Sequence, residues 1–142
     1  MIVLDTNVLS PLIGSPLSPD AERISSWMNP IPRSRLYTTV ITEAEIRFGI
    51  ALLDDGRRKR AMQEQADHVF DVEFDGHVLP LDRGAASAFA EIAARRRRAG
   101  RPIASADAQI AAVALARGMA VATRNVTDFA DCGIDVINPW TA

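Results

Sequence analysis

Ile2-Val3-Leu4-Asp5-Thr6-Asn7 sets three apolar side chains directly before three polar ones. A strand with one wet face alternates apolar and polar residues, whereas a short unbroken apolar run belongs to a strand covered on both faces. Residues 36–40, 78–81, 119–123 and 134–137 are also read as strands, giving five. Helices are expected between them. Residues 19–28 open with Pro19, Asp20 and Glu22 and place Ile24, Trp27 and Met28 on one face. Residues 42–54 form a second helix, and after the break at Gly56 a third runs to about Phe70. Residues 84–98 end at Gly100 and Pro102, and the alanine-rich residues 105–117 are closed by Gly118. Strands that alternate with helices make an α/β fold with a mainly parallel sheet covered on both faces. Such sheets bind ligands beyond the carboxyl ends of their strands. Asp5, Thr6 and Asn7 fall at such an end.

The chain has 142 residues, which fits one domain over residues 1–142. Hydrophobic residues make up 48% and charged residues 24%, a globular and not a disordered composition. With 16 Lys and Arg against 18 Asp and Glu the formal charge is −2, which excludes coating nucleic acid by bulk positive charge but leaves local patches open. The single cysteine, Cys132, excludes a disulfide scaffold and a cysteine-based zinc site, and points to a reducing compartment. There is no basic leader and no run near the roughly 20 apolar residues a membrane span needs, so a cytoplasmic protein without membrane association is expected. His68 and His77 lack metal-ligand spacing and are read as surface residues. Phosphate-loop, dinucleotide and nucleophile-elbow motifs are absent.

Several carboxylates resist a purely structural reading. Asp5 serves either as the N-cap of a short helix or as part of an oxygen-rich site. Glu43 stands four residues before Arg47, the favourable order for a solvated ion pair. Glu45 heads the stripe Glu45–Phe48–Gly49–Leu52, read as the core-facing side, and also closes a capping box with Thr42. Asp107 lies in line with Ile110, Ala111 and Ala114 on a helix whose only other polar side chains up to Ala116 are Ser105 and Gln109. A helix N-terminus gives an acid about 0.3–1 kcal/mol, less than the several kcal/mol of burying it unpaired. Either a cation such as Arg124 or a metal must compensate. Beyond the fourth strand, Asn125 and Asp128 each offer an oxygen. Carboxylates gathered at one sheet edge call for a hard divalent ion, and Mg²⁺ and Mn²⁺ take oxygen ligands and suit phosphodiester cleavage.

Four segments carry a family resemblance. Residues 1–10, MIVLDTNVLS, resemble the opening of PIN-domain nucleases; residues 41–50, ITEAEIRFGI, are similar to the second acidic motif. IASADAQIA at 103–111 and ATRNVTDF at 122–129 resemble the third and fourth, and VINPW at 136–140 resembles the ending of VapC- and FitB-like toxins. The resemblance implies a three-layer α/β/α PIN-like domain and a Mg²⁺- or Mn²⁺-dependent endoribonuclease that cuts RNA with a metal-activated water. It further implies the toxin half of a toxin–antitoxin pair, a homodimer, and a cognate antitoxin that is a small DNA-binding protein. Asp5, Glu45 and Asp107 carry over as metal-binding and catalytic carboxylates, while Glu43 does not. Thr6, Asn7 and Thr123 line the site. Asn125 stands where the family often has an aspartate, so the fourth ligand is either Asp128 or the neutral Asn125.

Nine of the 16 cations fall in residues 57–60 and 95–101. Four consecutive helical residues surround the axis, so part of each run is a solvated face. Arg101, just ahead of the Asp107 helix, and Arg124 are candidate phosphate contacts. Two alternatives stay open: a PIN-like module that binds RNA or a partner through an impaired metal site, and a nuclease directed at DNA.

Overall fold

The computed structural model describes residues 1–142. Five strands, β1 (Ile2–Leu4), β2 (Leu36–Thr39), β3 (Val78–Leu79), β4 (Ala120–Ala122) and β5 (Val136–Ile137), form an all-parallel sheet in the order β3-β2-β1-β4-β5. Six helices cover it: α1 (Thr6–Gly14), α2 (Pro19–Met28), α3 (Val40–Ala51), α4 (Arg57–Asp67), α5 (Arg83–Arg98) and α6 (Ser105–Ala116). The π-helical stretch His68–Glu73 extends α4. The three-layer arrangement matches the expectation, and β1 at its centre shows why its apolar run is unbroken. Ile2 and Leu4 pack with Val8, Ile13, Ile24 and Ile46 on one face, while Val3 packs with Ile92, Ile110 and Phe129 on the other. α6 buries Ala108 and every residue from Ile110 to Ala114, as a helix enclosed on nearly all sides must.

α3 corrects the expected phase. It follows β2 without a loop, and Thr39, not Thr42, caps it: the Thr39 hydroxyl accepts from the Thr42 amide at 3.1 Å. The Thr42–Glu45 capping box does not form. The core side is Thr42, Ile46 and Ile50, whereas Phe48 is 65% and Leu52 69% exposed. The two stripes differ by about 100°, one residue's rotation, and the junction with β2 selects the β-branched one. His77 is also not a plain surface residue. It is half-buried, stacks on Tyr37 with ring centroids 4.2 Å apart, and places Nδ1 2.8 Å from the Leu36 carbonyl oxygen. No helix is long and apolar enough to cross a membrane.

The last turn is tied back to α2. Trp140 Nε1 donates to Asp20 Oδ1 at 3.1 Å, Arg23 donates to the Trp140 carbonyl at 2.6 Å, and the Arg124 guanidinium lies 4.7 Å from the Trp140 ring centroid. Trp140→Ala is expected to cost about 2 kcal/mol from lost aromatic burial and cation–π contact. Urea unfolding measures it, and an unchanged midpoint removes this clasp from the stability account.

Candidate active site

β1 and β4 deliver their polar residues to the same sheet edge. Asp5 is 3% exposed and caps α1: Oδ1 accepts from the Thr6 amide at 2.8 Å. Its Oδ2 accepts from the Thr123 hydroxyl at 2.8 Å, so the cap and the site use one residue. Thr123 is fully buried and is the hub of this edge. Its oxygen also accepts from Asn7 Nδ2 at 3.2 Å and from the Asn125 amide at 3.0 Å. Asn7 Oδ1 in turn accepts from the Arg124 amide at 3.1 Å, which holds the turn after β4 against α1. The Thr6 hydroxyl donates to Glu45 Oε1 at 2.7 Å and lies 3.1 Å from the Thr42 hydroxyl. Glu45, exposed on α3, is thereby linked to the residue beside Asp5.

Asp107 stands in the first turn of α6, and Asp128 in the 3₁₀ turn Val126–Phe129 after β4. Burial and then the charges of Asp5, Asp128 and Glu45 push the Asp107 carboxyl up to about 6, with Arg96 pulling the other way. Burial also raises Asp5, against its bonds to Thr123 and Thr6, and the charges of Glu45 and Asp128 add to the rise. The four acids therefore share one electrostatic site. No salt bridge engages any of them. No three of them stand close enough to enclose an ion by themselves. The oxygen-only donor set suits a hard divalent ion that keeps waters and takes one or two direct carboxylates. Arg96, Pro102, Ile103, Ala104, Asp107 and Asp128 line a recess of about 270 Å³ at this edge.

Other sequence candidates lie apart. Asn125 is exposed and meets Thr123 through its backbone only. Arg124 is not the partner of Asp107: its side chain turns to Asp20 at 3.4 Å and to Trp140, which offers a ring face the acidic edge lacks. Arg101 pairs with Asp131, both exposed. Glu43 pairs with Arg47 at 2.8 Å, as its spacing predicts. Arg96 belongs to a run of which part was expected to be a solvated face, with no member singled out as buried; it is buried. Its signal was phase, because Ala88, Ile92 and Arg96 follow one another at four-residue steps on the buried side of α5.

Fold and edge together define a parallel α/β domain built around an acidic pocket. The PIN domain family matches residues 2–133, and the chain belongs to that family. It is 39% identical over 140 residues to VapC ribonuclease Y4jK of Sinorhizobium fredii (strain NBRC 101917 / NGR234), covering 99% of this chain and 98% of that one. It is 38% identical over 141 residues to toxin FitB of Neisseria gonorrhoeae (strain ATCC 700825 / FA 1090), covering 99% of each. A solved structure of FitAB bound to an IR36 DNA fragment superposes with a TM-score of 0.88 at 36% identity, over 99% of this chain and 96% of that chain.

Proposed function

We propose that this chain is a divalent-metal-dependent endoribonuclease and the toxin of a toxin–antitoxin pair, built as one PIN unit over residues 1–142. The observation that carries the reading is the convergence of Asp5, Glu45, Asp107 and Asp128 on one sheet edge with no salt bridge to any of them. Its relation to a VapC ribonuclease and to the toxin FitB supports RNA as substrate and toxicity as role. The FitAB structure supports a DNA-binding antitoxin as partner. The uncovered Phe48 and Leu52 on α3, beside Glu45, give such a partner apolar surface to cover. A homodimer and a cytoplasmic location, where RNA is at hand, complete the proposal.

Asp5 and Asp107 are assigned as the principal ligands of Mg²⁺ or Mn²⁺, with Glu45 and Asp128 completing the acidic set. A bound ion supplies neutralisation of the phosphate charge and a more acidic water. Hydrolysis forms one bond from water oxygen to phosphorus and breaks the bond to the leaving oxygen, which takes up a proton. Thr123 and Thr6 fix Asp5 and Glu45 for this work. Arg101 and Arg124 sit in exposed ion pairs, which are worth little in water, so each is free to exchange its carboxylate for an RNA phosphate. Asp128 supports cutting over mere binding, because it supplies the anionic charge that Asn125 lacks.

The test is incubation of purified protein with structured RNA and matched DNA, with Mn²⁺ or Mg²⁺ and after chelation. Cleavage of RNA that needs the ion is expected; equal cleavage of DNA, or cleavage insensitive to chelation, rejects the assignment. Thr123→Val keeps the shape but removes the hub hydroxyl. It is expected to lower cleavage about 10- to 100-fold, and parent-like rates remove Thr123 from the site.

A further inference from the structure

Arg96 is 5% exposed, while Arg95, Arg97 and Arg98 beside it are open to solvent. Its Nε donates to the Arg101 carbonyl at 2.7 Å, and its Nη1 to the carbonyls of Asp128 at 2.9 Å and Ala130 at 2.8 Å. One guanidinium thus joins the connection leading into α6 to the turn that carries Asp128. No carboxylate side chain pairs with it, and it pulls against the rise of Asp107. Burying a cation costs several kcal/mol unless hydrogen bonds repay it. Here those bonds fall on the two segments that present Asp107 and Asp128, and the planar fork reaches both at once.

We propose that Arg96 is a positioning residue of the acidic site: through the carbonyls of Arg101 and Asp128 it fixes Asp128 relative to Asp107 and so sets the affinity for the divalent ion. This rests on the nuclease reading above. The distinguishing measurement is Mn²⁺ titration calorimetry on the full chain, with thermal unfolding alongside as the check on folding. Arg96→Lys keeps the charge but not the fork, and is expected to weaken Mn²⁺ binding about 10-fold. In an Asp128→Asn background the same change is expected to matter less than about twofold, because the group it positions is gone. Arg96→Gln should also weaken binding. By charge alone, losing the cation that acts on Asp107 would strengthen it, so weakening reports spacing.

A parent protein that binds no Mn²⁺ overturns the nuclease reading and this proposal with it. A parent that binds while the Arg96 variants match its affinity overturns the proposal alone, whatever their melting temperatures. An equal effect with and without Asp128, or failure of both variants to fold, makes Arg96 a residue of the fold and also overturns it.

Discussion

Asp107→Asn is expected to abolish RNA cleavage and, in the same protein, to raise the melting temperature without metal. Asparagine fills the same space at the start of α6 but brings no charge to the ion. Losing several kcal/mol of charge stabilisation corresponds to a rate at least about 1,000-fold lower. The stability gain follows from linkage. The Asp107 carboxyl rises from 3.8 to about 6 in the folded chain, so the folded state holds its proton more tightly than the unfolded state does. Below 3.8 the shift costs nothing; the cost grows as pH rises through the window and is complete above about 6. At face value it amounts to about 3 kcal/mol, and solvent screening of this half-buried group leaves about 1–2 kcal/mol. The variant should therefore melt about 3–6 °C higher than the parent at pH 7.5, with the difference vanishing near pH 3.5. Asp5→Asn should be equally inactive but gain less, since one of its two acceptor oxygens becomes a donor facing Thr6 or Thr123. Parent-like cleavage by Asp107→Asn removes this residue from the reaction. An inactive variant that melts lower at pH 7.5 shows that burying this charge among other acids is not a cost the fold bears.

What the sequence discloses is local. An unbroken apolar run followed by Asp5-Thr6-Asn7 is enough to place a covered parallel strand with polar groups at its carboxyl end, because burial and strand direction act residue by residue. The sheet order is not local: nothing in residues 2–4 says that they pair with 36–37 on one side and 120–122 on the other. Helical phase lies between these cases. On α3, Glu45–Phe48–Gly49–Leu52 and Thr42–Ile46–Ile50 compete about 100° apart, and the cap at Thr39 decides between them. Long-range partners were beyond reach. Arg124 finds Asp20 at a separation of 104 residues and Trp140 finds Asp20 at 120, so each contact is created by the fold that brings the segments together. Arg96 was hidden for another reason. Four consecutive arginines surround the axis without saying which one turns inward, and the four-residue steps of α5 place Arg96 there.

Metal should stabilise this protein most where the acidic site is fully charged. Burying the charges of Asp5 and Asp107, with the charges of Glu45 and Asp128 beside them, raises the energy of the folded chain, and a divalent ion relieves that cost only in the folded state. With Mn²⁺ at about 100 times its dissociation constant the gain is about 2.7 kcal/mol, or roughly 8–10 °C in melting temperature at pH 7.5. As pH falls through about 6, Asp107 takes up a proton that the ion must displace. One unit lower the affinity drops about tenfold. At the same Mn²⁺ concentration the gain at pH 5 should then shrink to about 1.4 kcal/mol, near half the shift. Thermal unfolding with and without Mn²⁺ at the two pH values gives the comparison, and Asp107→Asn supplies the control in which most of the shift is lost. A shift of equal size at pH 5 and 7.5, or one that survives in Asp107→Asn, would place the ion elsewhere on the molecule and leave the four acids without their counter-charge.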